Sequence, residues 1–162
     1  MYKKVIVPLD GSELAECVVP HVEAIAGGCG VAEVVLVRVI EPVRLPVGTL
    51  TDGAGVFSEA DAVSARQRQD ANEKAEAKDY LSNVAKRLEL GRAKKQTKVI
   101  MGHAADRLVD YVKDSGADLV VIASHGRSGI SRWVFGSVAE RLLRGACVPV
   151  LMVRAPGCEI GI

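Results

Sequence analysis

In Ala117-Asp118-Leu119-Val120-Val121-Ile122-Ala123-Ser124-His125-Gly126, five apolar residues run unbroken between an aspartate and a polar end that carries a glycine. A run this short without polar alternation suits a strand covered on both faces, as in a parallel sheet. Parallel neighbours need crossover connections, so helices must lie on either side of it in the chain. The flanks read that way. Upstream, Thr97–Met101 is a β-rich stretch and Ala105–Lys113 a short helix stopped by Ser115-Gly116. Downstream, Ser137–Arg144 reads as a helix with a capping box, Ser137 at the cap and Glu140 three residues later, and Gly145 near its end. Val148–Val153 follows as a last strand.

The amino-terminal half repeats the alternation. Val5-Ile6-Val7 is a strand ending at Pro8, and Ser12 is placed to cap a helix over Glu13–Ala26 that Gly27-Gly28 would stop. Val34–Ile40 is a second strand, broken by Glu41-Pro42. Residues 41–57 show no period and read as a surface loop. From Ser58 to Leu90 a long helix carries the apolar stripe Ala77, Leu81, Val84 and Leu88. Its polar first half reads as a solvated face. Strands alternating with helices predict an α/β fold, a parallel sheet with helices on both faces. The length fits one domain over residues 1–155, with 156–162 as a short tail. Pro149 cannot donate to a ladder, which makes Val148–Val153 an edge strand. An apolar edge needs cover or a partner, so this strand is the candidate seam of a homodimer.

Charge and composition exclude several classes. The chain has 162 residues, with 21 Lys and Arg against 20 Asp and Glu, a net charge of +1. That balance lacks the basic excess of a nucleic-acid binder, and an apolar content of 49% is unlike disorder. The longest apolar runs, Leu119–Ala123 and Val148–Val153, fall far below the roughly 20 residues that span a bilayer. After Lys3 and Lys4, Val5–Leu9 is too short for a secretory core, so the expectation is no membrane and a cytoplasmic protein. Cys17, Cys29, Cys147 and Cys158 are scattered, without metal-ligand spacing, and read as reduced thiols.

Chemistry concentrates at two strand ends, Pro8-Leu9-Asp10-Gly11-Ser12 and Ala123-Ser124-His125-Gly126-Arg127-Ser128-Gly129. Open parallel sheets bind ligands at such carboxyl ends, where the strand order reverses. Between Ser124 and Ala139 stand two arginines, Arg127 and Arg132, and no acid. Glycines let backbone amides close on an anion, and a helix start at Gly136-Ser137-Val138 would favour negative charge. The same residues also suit plain turns and an ordinary cap. Ser124-His125 lacks a nucleophile elbow and an acid, and reads as a strand-end dipeptide. His21 and His103 read as structural or solvated, and Trp133-Val134-Phe135 as packing.

Ala123-Ser124-His125-Gly126, nine residues, then Gly136-Ser137 resembles the G-x2-G-x9-G-[S/T] nucleotide motif of the universal stress protein family. The likeness extends to Val5-Ile6-Val7-Pro8-Leu9-Asp10-Gly11-Ser12, to Ala117–Ser124 and to Cys147-Val148-Pro149-Val150-Leu151-Met152-Val153. It implies a three-layer sandwich of the adenine nucleotide alpha hydrolase-like kind, with a five-stranded parallel sheet of order 3-2-1-4-5. It further implies an ATP-binding, dimeric regulator of the stress response. Pro8, Asp10 and Val39 would line adenine and ribose, with Ile122 and Ala123 on the sugar side. Gly126, Gly136, Ser137 and Val138 would surround the phosphates, with Arg127 as an extra partner.

One residue departs from the motif, since Ala123 stands where it has its first glycine. Asp10 has two readings: a partner of ribose hydroxyls or of a magnesium ion carried by ATP, and an Asx-type cap for the following helix. Without a Walker lysine or an arginine finger, at most slow ATP hydrolysis is expected. Two alternatives stand beside this reading. One is a family member that binds partners and no nucleotide. The other is an adenylating, pyrophosphate-releasing enzyme, which would want a serine-glycine-glycine loop where Asp10-Gly11-Ser12 stands. A phospho-acceptor domain would need an acidic pair after the first strand, and only Asp10 is there.

Overall fold

The computed structural model describes residues 1–42, 59–124 and 136–154. Most of the 41–57 loop, the glycine-loop residues His125, Gly126, Arg127, Gly129, Arg132 and Trp133–Phe135, and the tail with Cys158 lie outside the described residues. Five parallel strands form one sheet: β1 (Lys4–Pro8), β2 (Glu33–Ile40), β3 (Lys94–Met101), β4 (Leu119–Ala123) and β5 (Val150–Val153). Their order is β3-β2-β1-β4-β5, so the chain steps one way from β1 and then the other. The helices are α1 (Val19–Cys29), α2 (Glu59–Arg87), α3 (Ala104–Asp114) and α4 (Ser137–Gly145).

Alternate side chains of each strand feed two cores. Val5, Val7, Val34, Leu36, Leu119 and Val121 pack with Val22 of α1 and with Leu81 and Val84 of α2. Ile6, Val35, Val37, Val120 and Ile122 pack with Leu108 and Val112 of α3 and Leu142 of α4. The sheet is thus covered on both faces, which is why its central strands carry continuous apolar runs, Val5–Val7, Val34–Val37 and Leu119–Ala123. The predicted stripe is buried, Ala77, Leu81 and Val84 on α2 and Leu88 just beyond it, since the helix ends at Arg87 rather than Leu90. Among the described residues, no helix is long and apolar enough to cross a membrane.

Five boundaries differ from the sequence expectation for an identifiable reason. The helix expected over Glu13–Ala26 is instead a 3₁₀ turn, Ala15–Val18, followed by α1. Pro20 has no N–H to give the Glu16 carbonyl, so the α-helix starts only around it, and the Val19 amide closes the tighter turn on Glu16. Gly27-Gly28 does not stop α1. Two helical glycines cost only about 1 kcal/mol each, and the helix runs to Gly30, whose φ of +63° ends it.

At α4 the cap is Gly136, whose carbonyl accepts from the Glu140 N–H at 2.9 Å, so Ser137 is the first helical residue and the expected capping box is out of register by one. β5 starts at Val150, leaving Pro149 just before the strand, where its carbonyl accepts from the Val120 N–H at 3.0 Å. β3 starts at Lys94, three residues before the sequence expectation, because its first half is an exposed polar edge without an apolar signal.

Leu81 has no exposed surface and joins α2 to the sheet. Leu81→Ala is therefore expected to cost about 2–5 kcal/mol of stability, read as a lowered urea midpoint with an unchanged m-value.

Candidate functional site

The two ladders of β1 differ in length. Toward β2 the register runs from Lys4↔Glu33 to Pro8↔Val37, and the Leu9 N–H continues it by donating to the Val37 carbonyl at 2.8 Å. Toward β4 it holds only Val5↔Leu119 and Ile6↔Val120. At the amino ends of these strands the junction is tight: the Asp118 carboxylate accepts from the amides of Lys3 at 2.7 Å and Lys4 at 3.1 Å, and the Asp118 N–H donates to the Lys4 carbonyl at 3.0 Å. Backbone groups alternate sides along a strand. The Lys4 amide faces β4 and that of Leu9 faces β2, so the nitrogen of Pro8 faces β4, and it carries no hydrogen. The ladder stops there and the two strand ends part.

The gap is a crevice of about 250 Å³. Its walls are Pro8, Leu9 and Asp10 from the end of β1, Val37 and Val39 from β2, and Ile122, Ala123 and Ser124 from the end of β4. Ala15 closes one side, Ala104 and Leu108 of α3 another, and Gly136, Ser137, Val138 and Ala139 form the start of α4. All eight described candidates, Pro8, Asp10, Val39, Ile122, Ala123, Gly136, Ser137 and Val138, therefore border one cavity. Gly126 and Arg127 belong to the segment outside the described residues.

The crevice is largely apolar, and its polar groups are placed by local structure. Asp10 Oδ1 accepts from the Ser12 amide at 2.9 Å and from the Ser12 hydroxyl at 2.7 Å, while Ser12 Oγ accepts from the Ala15 amide at 3.2 Å. Asp10 thus closes an Asx turn onto Ser12 and does not cap the helix itself, and the turn holds the carboxylate at the crevice. Ser124 is buried; its amide donates to the Val153 carbonyl at 2.7 Å and its carbonyl accepts from the Gly136 amide at 3.0 Å. This pair of bonds fixes the start of α4 beside the end of β4.

Two helix starts meet the crevice, and they differ electrically. At α3 the Ala104 amide donates to Glu41 Oε1 at 2.9 Å, so a carboxylate already occupies that positive end. At α4 no side chain caps the helix among the described residues, and its first-turn amides have no intrahelical acceptor. An anion is favoured at α4 and opposed at α3. The rim pairs, His103 with Asp106 and Arg141 with Asp106, each at 3.2 Å, are exposed and contribute little.

Sequence reasoning did not find Glu41, Ala104 or Leu108 as neighbours of the site. Only the strand order brings the end of β2 and the start of α3 against the end of β4. Leu9, Ala15, Val37 and Ala139 carry no local sign of facing a cavity. Among the described residues, no group of three or more His, Cys, Asp or Glu side chains could hold a metal ion.

A doubly wound parallel sheet with a crevice at its switch point defines an open α/β protein, a class whose ligands sit at that place. Residues 1–154 match the model of the universal stress protein family, and the chain belongs to that family. It is 29% identical to universal stress protein MJ0577 of Methanocaldococcus jannaschii over 158 residues, 95% of this chain and 96% of that one. It is 32% identical to MJ0531 of the same organism over 159 residues, 98% of this chain and 86% of that one. The solved structure of MJ0577 superimposes with a TM-score of 0.74 over 95% of this chain and 96% of that chain. Two more distant structures share the fold: a universal stress protein in complex with cAMP, at 23% identity, TM-score 0.56 and coverage of 94% and 97%, and an Arabidopsis thaliana family protein with AMP bound, at 16%, 0.57 and 98% and 95%.

Behind the Asp10 turn, half-buried Tyr80 of α2 has its phenol pushed up from the ordinary value, first by burial and then by the Glu16 and Asp10 carboxylates, against a lowering by Arg38. A neutral phenol is thus favoured in the folded state. Its stabilising contribution is complete below the unfolded value near pH 10 and is lost as pH rises toward the higher folded value. Tyr80→Phe is expected to lose less stability than the parent above about pH 10 and to match its pH dependence from pH 6 to 9, measured by urea denaturation across that range.

Proposed function

We propose that the crevice binds an adenine nucleotide, with ATP as its ligand, and that the protein is a regulatory module of the stress response in the cytoplasm. The observation that carries this reading is convergence: motif residues from three separated segments, Pro8 and Asp10, Ile122 and Ala123, and Gly136 to Val138, border one cavity at the switch point. Relatives of the same fold with cAMP or AMP bound agree with that ligand class.

Size and charge divide the ligand. About 250 Å³ lies just below the roughly 300 Å³ at which pockets begin to enclose a whole small molecule, so the cavity suits the nucleoside and leaves the phosphates along α4. Pro8, Val39 and Leu108 offer apolar surface to the base, with Ile122 on the sugar side. Asp10 faces the ribose hydroxyls, with the Ala123 methyl on the sugar side. The amides of Ser137 and Val138 and the Ser137 hydroxyl take the phosphates, joined by Gly126 and Arg127. The Glu41 carboxylate at the start of α3 directs the negative end of the ligand away from that helix. Magnesium would arrive with the nucleotide, held by its phosphates and at most one protein carboxylate, Asp10. This is a site for holding a nucleotide; hydrolysis, if measured, is slow.

Residues 1–155 act as one unit that pairs with a second copy through β5. The two sheet edges differ in a way that supports this. β3 exposes Lys94, Lys95 and Lys98, which repel another strand, whereas β5 presents Leu151 at 38% exposure between Val150 and Met152.

Calorimetry with ATP and magnesium tests the ligand. Saturable binding is expected, and ATP at a hundred times its dissociation constant should add about 2.7 kcal/mol of stability. The Gly136 backbone, φ −55° and ψ 143°, is open to any residue, so Gly136→Val should keep the fold while its side chain obstructs the phosphates. A loss of at least about tenfold in affinity is expected; equal heats from both proteins refute the site. For the dimer, Leu151→Arg is expected to give a monomer of unchanged fold by sedimentation; a parent that is itself monomeric refutes the seam.

A further inference from the structure

β2 contains one cation, Arg38, between two valines that line the crevice. Alternation along the strand turns Arg38 to the opposite face, toward α2. There its guanidinium carbon stands 5.3 Å from the centroid of the Tyr80 ring, within reach of a cation–π contact. The same guanidinium lies under the turn that follows β1. A β-carbon added to Gly11 would stand 3.0 Å from Arg38 Cζ and 3.1 Å from each terminal nitrogen. Gly11 has a φ of +91°, a conformation side chains rarely adopt, so the turn is bent down onto the arginine at the residue that permits it.

Gly11 sits between Asp10, on the crevice, and Ser12, whose amide and hydroxyl hold Asp10 Oδ1. A planar, charged group on the far side of the sheet therefore backs the turn that aims Asp10. Placing a guanidinium in a half-buried position is costly unless it is engaged, and the groups beside it here include an aromatic face and a turn.

We infer that Arg38 is a positioning residue: from behind the sheet it fixes the Asp10-Gly11-Ser12 turn, and so sets the fit of the Asp10 carboxylate to the ribose hydroxyls of the bound nucleotide. This inference rests on the adenosine reading of the crevice. Arg38 never touches the ligand. Its effect is on sugar discrimination, because the base and phosphate contacts come from other segments.

The test compares ATP with 2′,3′-dideoxy-ATP by calorimetry on the full chain, its Arg38→Met, Arg38→Lys and Asp10→Asn variants, and the Asp10→Asn/Arg38→Met double variant. The parent is expected to prefer ATP by about tenfold. Arg38→Met should abolish that preference while changing the dideoxy affinity by less than about twofold, and adding it to Asp10→Asn should cost nothing more, since both act on one contact. Arg38→Lys keeps the charge but not the flat fork and should lose at least about threefold of the preference, which keeps the test open if Arg38→Met does not fold. A parental preference in Arg38→Lys, or in a folded Arg38→Met, overturns the inference. So does an equal loss for both nucleotides, which marks a role in folding alone. A parent that binds neither nucleotide overturns the adenosine reading and this inference together. A parental preference abolished by Asp10→Asn but untouched by either Arg38 change overturns the positioning role alone.

Discussion

The short ladder between β1 and β4 is the constraint on which the rest depends. Both strands are buried on both faces, and neither could leave backbone groups unpaired in a dry core without a cost of a few kcal/mol each. Asp118 ties their amino ends by accepting two amides, and Pro8 removes the donor that would have continued the ladder at their carboxyl ends. The sheet is held shut at one end of this junction and open at the other. Because the strand order reverses at the same place, the helices that follow the two strands, α1 and α4, lie on opposite faces of the sheet.

What surrounds the gap is rigid on three sides. Val37, Ile122 and Leu108 are buried members of the second core, and Leu9, Ala15 and Ala123 belong to the first. The crevice therefore lies where the two cores meet over the sheet edge and has little freedom to collapse. Its polarity comes from turns and helix ends: the Asp10 turn, the start of α4 held by the two backbone bonds of Ser124, and the start of α3 already neutralised by Glu41. That asymmetry between two helix starts gives the site a direction, with an end for negative charge and an end without.

The fold was legible because its strands are short apolar runs with breakers after them, and because the long α2 stripe has an unambiguous period. The universal stress protein resemblance rested on strand-end residues, and those of them that are described, Pro8, Asp10, Ile122, Ala123 and Gly136 to Val138, border one crevice. Less legible were features that belong to pairs of elements. Pro20 resets the helix after β1 through a bond it cannot make with Glu16, and Pro149 stands just outside its strand because it has no amide hydrogen for the ladder, although its carbonyl accepts from Val120. The polar first half of β3 gave no periodic signal because one edge of that strand is solvent. Arg38 and Glu41 act on the crevice only through the strand order, which brings the ends of β1, β2 and β4 together. No local pattern in the sequence marks either residue as part of a site.

The most direct measurement of the central claim is an amide NMR titration of the chain with ATP and magnesium. Saturable shifts are expected only at the open end of the β1–β4 junction, at Leu9, Gly11, Val39, Ala123, Ser137 and Val138. The amides of Ala32, Lys94 and Asp118, at the closed end, should stay fixed. Shifts gathered at the closed end, or none that saturate, would contradict it.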